Sequence, residues 1–285
     1  MAAVAVAGVV LAVVAGIALR QQRTFVALSA DAALAGQLRD AASMLPMDLR
    51  GAAVGAGDVH EATDTSIEVR ETIASAVVCD TLGPSIVLAP SGTHATTFAG
   101  TIATVHAGDT AWVLAPDDSV PTWHARRVTG VGASHAGQCI PGGPHLAGAS
   151  LVASRTTLSL DSAPQPTALV GRPLRITRPI RYSLYRSSDD SWYLGARDWN
   201  STTSKFNAIQ PVAGPFEPSG TPVFRWYDTT GALLATPVAW RDRIALVRID
   251  LRGRTRGADR ILGSSHDNGP RADSVTISVS VRNRT

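Results

Sequence analysis

The residue types best suited to chemistry crowd into one stretch, His135, Cys139 and His145, within the Gly- and Pro-rich run HAGQCIPGGPH. Imidazole and thiolate are zinc ligands. Three donors without an evident fourth do not complete a tetrahedral site, so no metal and no cofactor is expected. The acidic pairs Asp117/Asp118 and Asp189/Asp190 stand beside turn-forming residues and read as solvated turns, although paired carboxylates can hold calcium. For catalysis, a nucleophile needs a base and an oxyanion site within reach. The chain has no Gly-x-Ser-x-Gly elbow, no phosphate-binding loop, no Gly-x-Gly-x-x-Gly after a strand and no His-Glu-x-x-His. No catalytic residue and no small-molecule substrate are therefore indicated, and the chain is not read as an enzyme.

Two further sets of residues bear on stability and charge. Cys79 and Cys139 are the only cysteines, and an even count in an exported domain permits one disulfide. Closing a loop of about 60 residues would stabilise by roughly 4 kcal/mol in the chain-entropy model. Two reduced, buried thiols are the other reading. The net charge of +3 is uneven, with basic residues gathered from Arg155 onward, and Lys205 is the single lysine. Arginines 241, 243, 248, 252, 254, 256 and 260 could face DNA phosphates. Because Arg248 and Arg252 alternate with apolar positions, an ordinary wet sheet face ranks ahead of DNA binding.

The elements that must carry these residues divide at about residue 50. From Ala2 to Leu19 there is no polar side chain. Eighteen helical residues span roughly 27 Å, enough for a bilayer core. The absence of a polar face argues against a soluble amphipathic helix, and the missing basic flank and cleavage site argue against a signal peptide. Past Arg20 the helical pattern continues, with Phe25, Leu28, Leu34, Leu38, Leu45 and Leu49 read as one apolar face. Pro46 should kink or end the run, and Gly51 is a plausible stop.

Beyond a Gly/Ala-rich connector the pattern turns to short alternating runs. Strands are expected at Ser66–Arg70, Ser85–Leu88, Thr110–Leu114, Trp123–Val128, Thr157–Leu160 and Leu174–Ile176. Hairpins are expected for Ile180–Arg186 with Trp192–Ala196, and for Val223–Tyr227 with Leu233–Thr236 across the Asp228–Gly231 turn. The clearest period-two alternation lies in Ile244–Leu251 and Val275–Val281. The fold class is thus α+β: a long N-terminal transmembrane and amphipathic helix (1–50), then a mostly antiparallel β domain (51–285).

This architecture resembles that of type IV pilins and type II secretion pseudopilins. Ser43–Gly51 (SMLPMDLRG) looks like the segment closing the long helix of PilW-type minor pilins, with its Asp-Leu-Arg triplet. Ile180–Trp192 (IRYSLYRSSDDSW) resembles their tyrosine-rich hairpin, and Val223–Leu251 their C-terminal core, whereas residues 55–175 match only in general character. The resemblance implies a structural subunit, with membrane lipid around the helix before assembly and other pilin or pseudopilin subunits around it afterwards. Small residues Gly8, Ala12, Ala15 and Gly16 would permit close helix approach, with Phe25 and Leu28 also in the packing surface. It implies a single-pass cytoplasmic-membrane protein with the β domain outside the cytoplasm. The family's basic leader, cleavage glycine and early glutamate are absent, because Met1 already lies at the apolar stretch. The expectation is a true start about ten residues upstream, which would supply the cytoplasmic positive charge that orientation requires. The alternative is a signal-anchored extracytoplasmic β domain that binds a ligand without assembling.

Overall fold

A computed structural model describes residues 2–52, 57–88, 100–101, 103–115, 122–134, 155–164, 169–217, 223–254 and 272–281. Among the described residues one α-helix, α1 (Ala2–Gly51), is followed by fourteen strands, every pairing of which is antiparallel, with a short 3-10 turn at Arg241–Arg243. The molecule is α+β.

At 50 residues, α1 is about 75 Å long at the helical rise. Its hydroxyls bond back into the helix, Thr24 donating to the Arg20 carbonyl at 3.0 Å and Ser29 to Val26 at 2.8 Å. Pro46 does not end it: the helix runs on to Gly51. Proline removes one backbone bond, but Leu45 and Leu49 on either side are fully buried, and that burial holds the last turns in place.

The strands are β1 (Val59–Ala62), β2 (Ser66–Leu82), β3 (Ser85–Leu88), β4 (Gly100–Thr101), β5 (Thr110–Ala115), β6 (Thr122–Ser134) and β7 (Arg155–Leu160). They continue with β8 (Pro173–Arg186), β9 (Trp192–Asn200), β10 (Lys205–Phe206), β11 (Gln210–Phe216), β12 (Phe224–Tyr227), β13 (Leu246–Arg254) and β14 (Ala272–Ser280). Two long strands organise the rest. β2 and β8 pair from Ser66↔Ser183 to Val77↔Pro173, with one irregularity between Thr72 and Ala74. Beyond that bulge, pairings β2–β3, β3–β7, β7–β6, β6–β5 and β5–β8 close a ring of six strands. Its core is aliphatic: Ile73, Val78, Ile86, Val113, Leu158, Leu174 and Ile176 are among the buried residues. Before the bulge, β2 and β8 belong to a second sheet continuing through β9, β11 and β13, which packs under α1 around Leu45, Leu49, Phe224, Trp226, Val247 and Ile249.

Two buried ion pairs pin this ribbon where the two cores meet. Arg175 grips Asp58 through two bonds of 2.6 and 3.2 Å, and Arg178 grips Asp109 through two bonds of 2.8 Å. Both carboxylates are fully buried. The guanidinium groups of Arg70 and Arg175 lie over the Trp112 ring, 5.1 and 5.0 Å from its centre, and Trp112 donates its indole N–H to Thr177. Gly108, just before Asp109, has φ +98°, and an added Cβ would stand 2.7 Å from Ser201. Only glycine fits there.

Several expectations require correction. Leu174–Ile176 and Ile180–Arg186 are one strand, β8, carried through Pro179. The partner on one side of β8 is β5 up to Thr177 and β9 from Ile180, so the proline falls in a gap between neighbours. Likewise β2 runs far past Arg70, because Ala76–Cys79 are buried on both faces and show no alternation. Leu233–Thr236 is not a hairpin strand: it touches Tyr227 by a single bridge at Leu233, and β12 pairs with β13 instead. The Asp228 turn itself forms, with the Asp228 carboxylate accepting from the Thr230 and Ala232 amides.

The helix meets the sheet closely at Gly253 of β13, where an added Cβ would lie 2.3 Å from Leu34 Cδ1. Gly253→Val should destabilise the fold by about 1–3 kcal/mol through overpacking. Denaturant titration of the purified chain in detergent measures this, and an unchanged midpoint would contradict the packing described.

Candidate assembly interface

The helix presents two unlike halves. Leu34, Leu38, Ala41, Leu45 and Leu49 are buried against the sheet at steps of three and four, the spacing of one helix face. From Val6 to Ser29 every residue is exposed, including Val9, Leu11, Val13, Ile17 and Leu19. This is one helix long and apolar enough to cross a membrane.

Phe25 and Leu28 do not continue the buried stripe. Phe25 is 74% exposed and Leu28 60%. The six residues from Leu28 to Leu34 turn the helix by about 240°, and the nine from Phe25 to Leu34 leave it about half a turn away. Spacing by multiples of three drifts off a 3.6-residue period, which is why reading all six apolar residues as one face fails. Gly8, Ala12 and Gly16 recur at i, i+4 and i+8, with Ala15 beside them, and nothing stands within 4 Å of where a Cβ would sit at either glycine. Such a stripe offers another helix a close approach.

A polar contact joins the other end of this rod to the sheet. Tyr182 of β8, almost fully buried, donates its hydroxyl to the Asp48 carboxylate of α1. The Asp48-Leu49-Arg50 triplet and the tyrosine hairpin, read separately in the sequence, therefore meet. Burial and the neighbouring Asp48 carboxylate push the Tyr182 phenol above its ordinary range, so it stays a donor. Nearby Glu71 of β2 is raised from the usual carboxylate value by burial first, then by the charges of Asp48 and Asp198.

The other candidates scatter. Cys79 is fully buried and disulfide-bonded, while Cys139 lies outside the described residues, as do His135, His145 and the Asp117/Asp118 pair. Asp189 accepts from the Ser191 amide and the Tyr193 hydroxyl inside its turn, and Asp190 meets Arg186 at 3.3 Å. No group of three or more metal-ligating side chains occurs among the described residues. Of the C-terminal arginines, Arg243 meets Asp228, Arg248 meets Asp250, and Arg252 and Arg254 both meet Glu217, each at 3.2 Å. Arg256 and Arg260 lie outside the described residues.

Sequence reasoning missed Asp58, Asp109, Arg175 and Arg178. A signal was present: Ala56-Gly57-Asp58 and Ala107-Gly108-Asp109 repeat one tripeptide, each with a positive-φ glycine before a buried aspartate. No family model, no curated protein and no solved structure matches the chain.

Two measurements probe the helix–sheet contact. Tyr182→Phe leaves Asp48 without its buried donor and should cost about 1–3 kcal/mol of stability. Urea denaturation would show it, and a loss no larger than that of Tyr185→Phe on the same strand would contradict the role. Because the folded-state pKa of Glu71 is raised, its contribution is fully present below the unfolded value and is lost as pH rises through the folded one. Acidification from neutral toward the ordinary carboxylate range should therefore raise stability, and Glu71→Gln should flatten that slope. A Glu71→Gln slope matching the parent would sink this assignment.

Proposed function

We propose that this chain is a pilin-like structural subunit, a minor pilin or pseudopilin, that assembles through α1 into a type IV pilus or type II secretion pseudopilus. The observation that carries the reading is the division of one continuous helix. Its second half is welded to the β domain by a leucine stripe, and in its first half, from Val6 to Leu19, it offers only apolar and small side chains to its surroundings. In lipid the backbone of that half is satisfied within the helix, so the subunit can wait as a single-pass membrane protein. Withdrawn from lipid, the same surface needs other helices to cover it. A plain anchor could end near Arg20. Here the helix continues exposed through Ser29, which adds a length of exposed helix that a tether does not require. The meeting of Asp48 with Tyr182 adds support, because it joins two of the segments on which the resemblance rests.

The reading assigns no cofactor, metal or catalytic step. The domain faces the extracytoplasmic side, and neighbouring pilin or pseudopilin subunits are the partners.

A test uses the full chain in its native membrane with a photo-crosslinking residue at Ala12, Gly16, Phe25 or Leu28. Assembly predicts covalent species joining this chain to copies of itself or to other proteins with the same helix-then-β build. Gly16→Leu should reduce the yield several-fold by closing the small-residue stripe. Monomers alone at all four positions, with the protein folded and membrane-integrated, would overturn assembly and favour the anchored binding module.

A further inference from the structure

Among the described residues β14 is an edge strand, pairing only with β13 in nine unbroken steps from Arg254↔Ala272 to Leu246↔Ser280. Natural sheets guard such edges with lysine, proline, bulges or short length. β14 has none of these: it is nine residues long, and its sequence ADSVTISVS contains one charge, Asp273. Val275, Ile277 and Val279 turn toward the core while Ser274, Thr276, Ser278 and Ser280 face outward.

Beside this edge runs a groove of about 610 Å³ between α1 and β14. Ala42, Pro46 and Met47 line its helical wall, and Val275–Ser278 its strand wall. Met47 is 70% exposed, pliable apolar surface where burial would be favourable. Pro46 has no amide proton, so the Ala42 carbonyl on that wall lacks its helical donor. Arg50, at the end of the helix, is the single charged residue of the lining.

We propose that this edge and groove take up an extended segment of a partner polypeptide, added as a further strand beside β14. Backbone edge groups are satisfied in a regular way only by another backbone. The lining selects small or apolar side chains on the strand's inner face and an acidic group against Arg50. Antiparallel pairing with a second copy's β14 is excluded by direction. β14 runs the same way as α1, because Gly253, paired with Asp273, lies against Leu34, whereas Val275–Ser278 face Ala42–Arg50. Antiparallel self-pairing of two β14 edges would point the two apolar half-helices in opposite directions, out of a common membrane. That exclusion, and nothing else here, rests on the anchored-subunit reading.

The test uses the full chain in detergent micelles and a fluorescent eight-residue alternating Val–Thr peptide ending in Glu, with a twin N-methylated at alternate residues. Saturable binding of the first peptide is expected. The methylated twin, the Ser278→Lys variant and the Arg50→Glu variant should each weaken it about tenfold or more, with unchanged circular dichroism. Absence of saturable binding, or equal binding of the methylated twin, would overturn strand addition. Disulfide-linked dimers of a Ser278→Cys variant in membranes would overturn the choice of a foreign partner. Peptide binding by a chain that carbonate releases from membranes would sink the anchored reading while leaving strand addition intact.

Discussion

The antiparallel pairing of β2 with β8 is the constraint on which the molecule depends. Each strand is long enough to serve two cores, one closed into a six-stranded ring and one lying under the helix. Take that ribbon away and the ring loses two adjacent staves while the helix loses the sheet that bears Tyr182 and Ile67. The bulge at Thr72–Ala74 separates the two uses. A bulge re-aims side chains and steepens twist, and here it falls where the strands pass from one core to the other. The buried Asp58–Arg175 and Asp109–Arg178 pairs fasten loops to β8 near the same point. Breaking either would strand a charge away from water, so both junctions are held by more than ladder bonds.

Much of this was legible because it follows from period. Strict alternation located β13 and β14, and the Ser187–Ser191 turn located the β8–β9 hairpin, in agreement with the observed register. Ala2–Leu19 announced a helix apolar all round. What was not legible is where a second constraint overrides the local one. β2 loses alternation at Ala76–Cys79 because both faces are buried there, and β8 passes through a proline because its neighbours change at that residue. β11 (Gln210–Phe216), with two prolines and a glycine, carries little local strand signal and is held by β9.

The site was legible in parts and not in combination. Asp48 and Tyr182 belong to segments that stood out in the sequence, but 134 positions separate them. No periodicity connects residues so far apart; only the crossing of helix and ribbon does. The paired Ala-Gly-Asp tripeptides are a weaker signal of the same kind. Each marks a turn that inserts an aspartate, but the receiving arginine is fixed by topology. Phe25 and Leu28 show the reverse case, where a helical rhythm counted in loose multiples joined residues that face different ways.

The shared ribbon also determines how the molecule would carry a pull. A load applied at the ring and resisted at the apolar half of α1 runs lengthwise through β2 and β8, so their ladder bonds are strained together in shear instead of one after another. The Leu45–Leu49 stripe and the Tyr182–Asp48 bond then pass the load from sheet to helix.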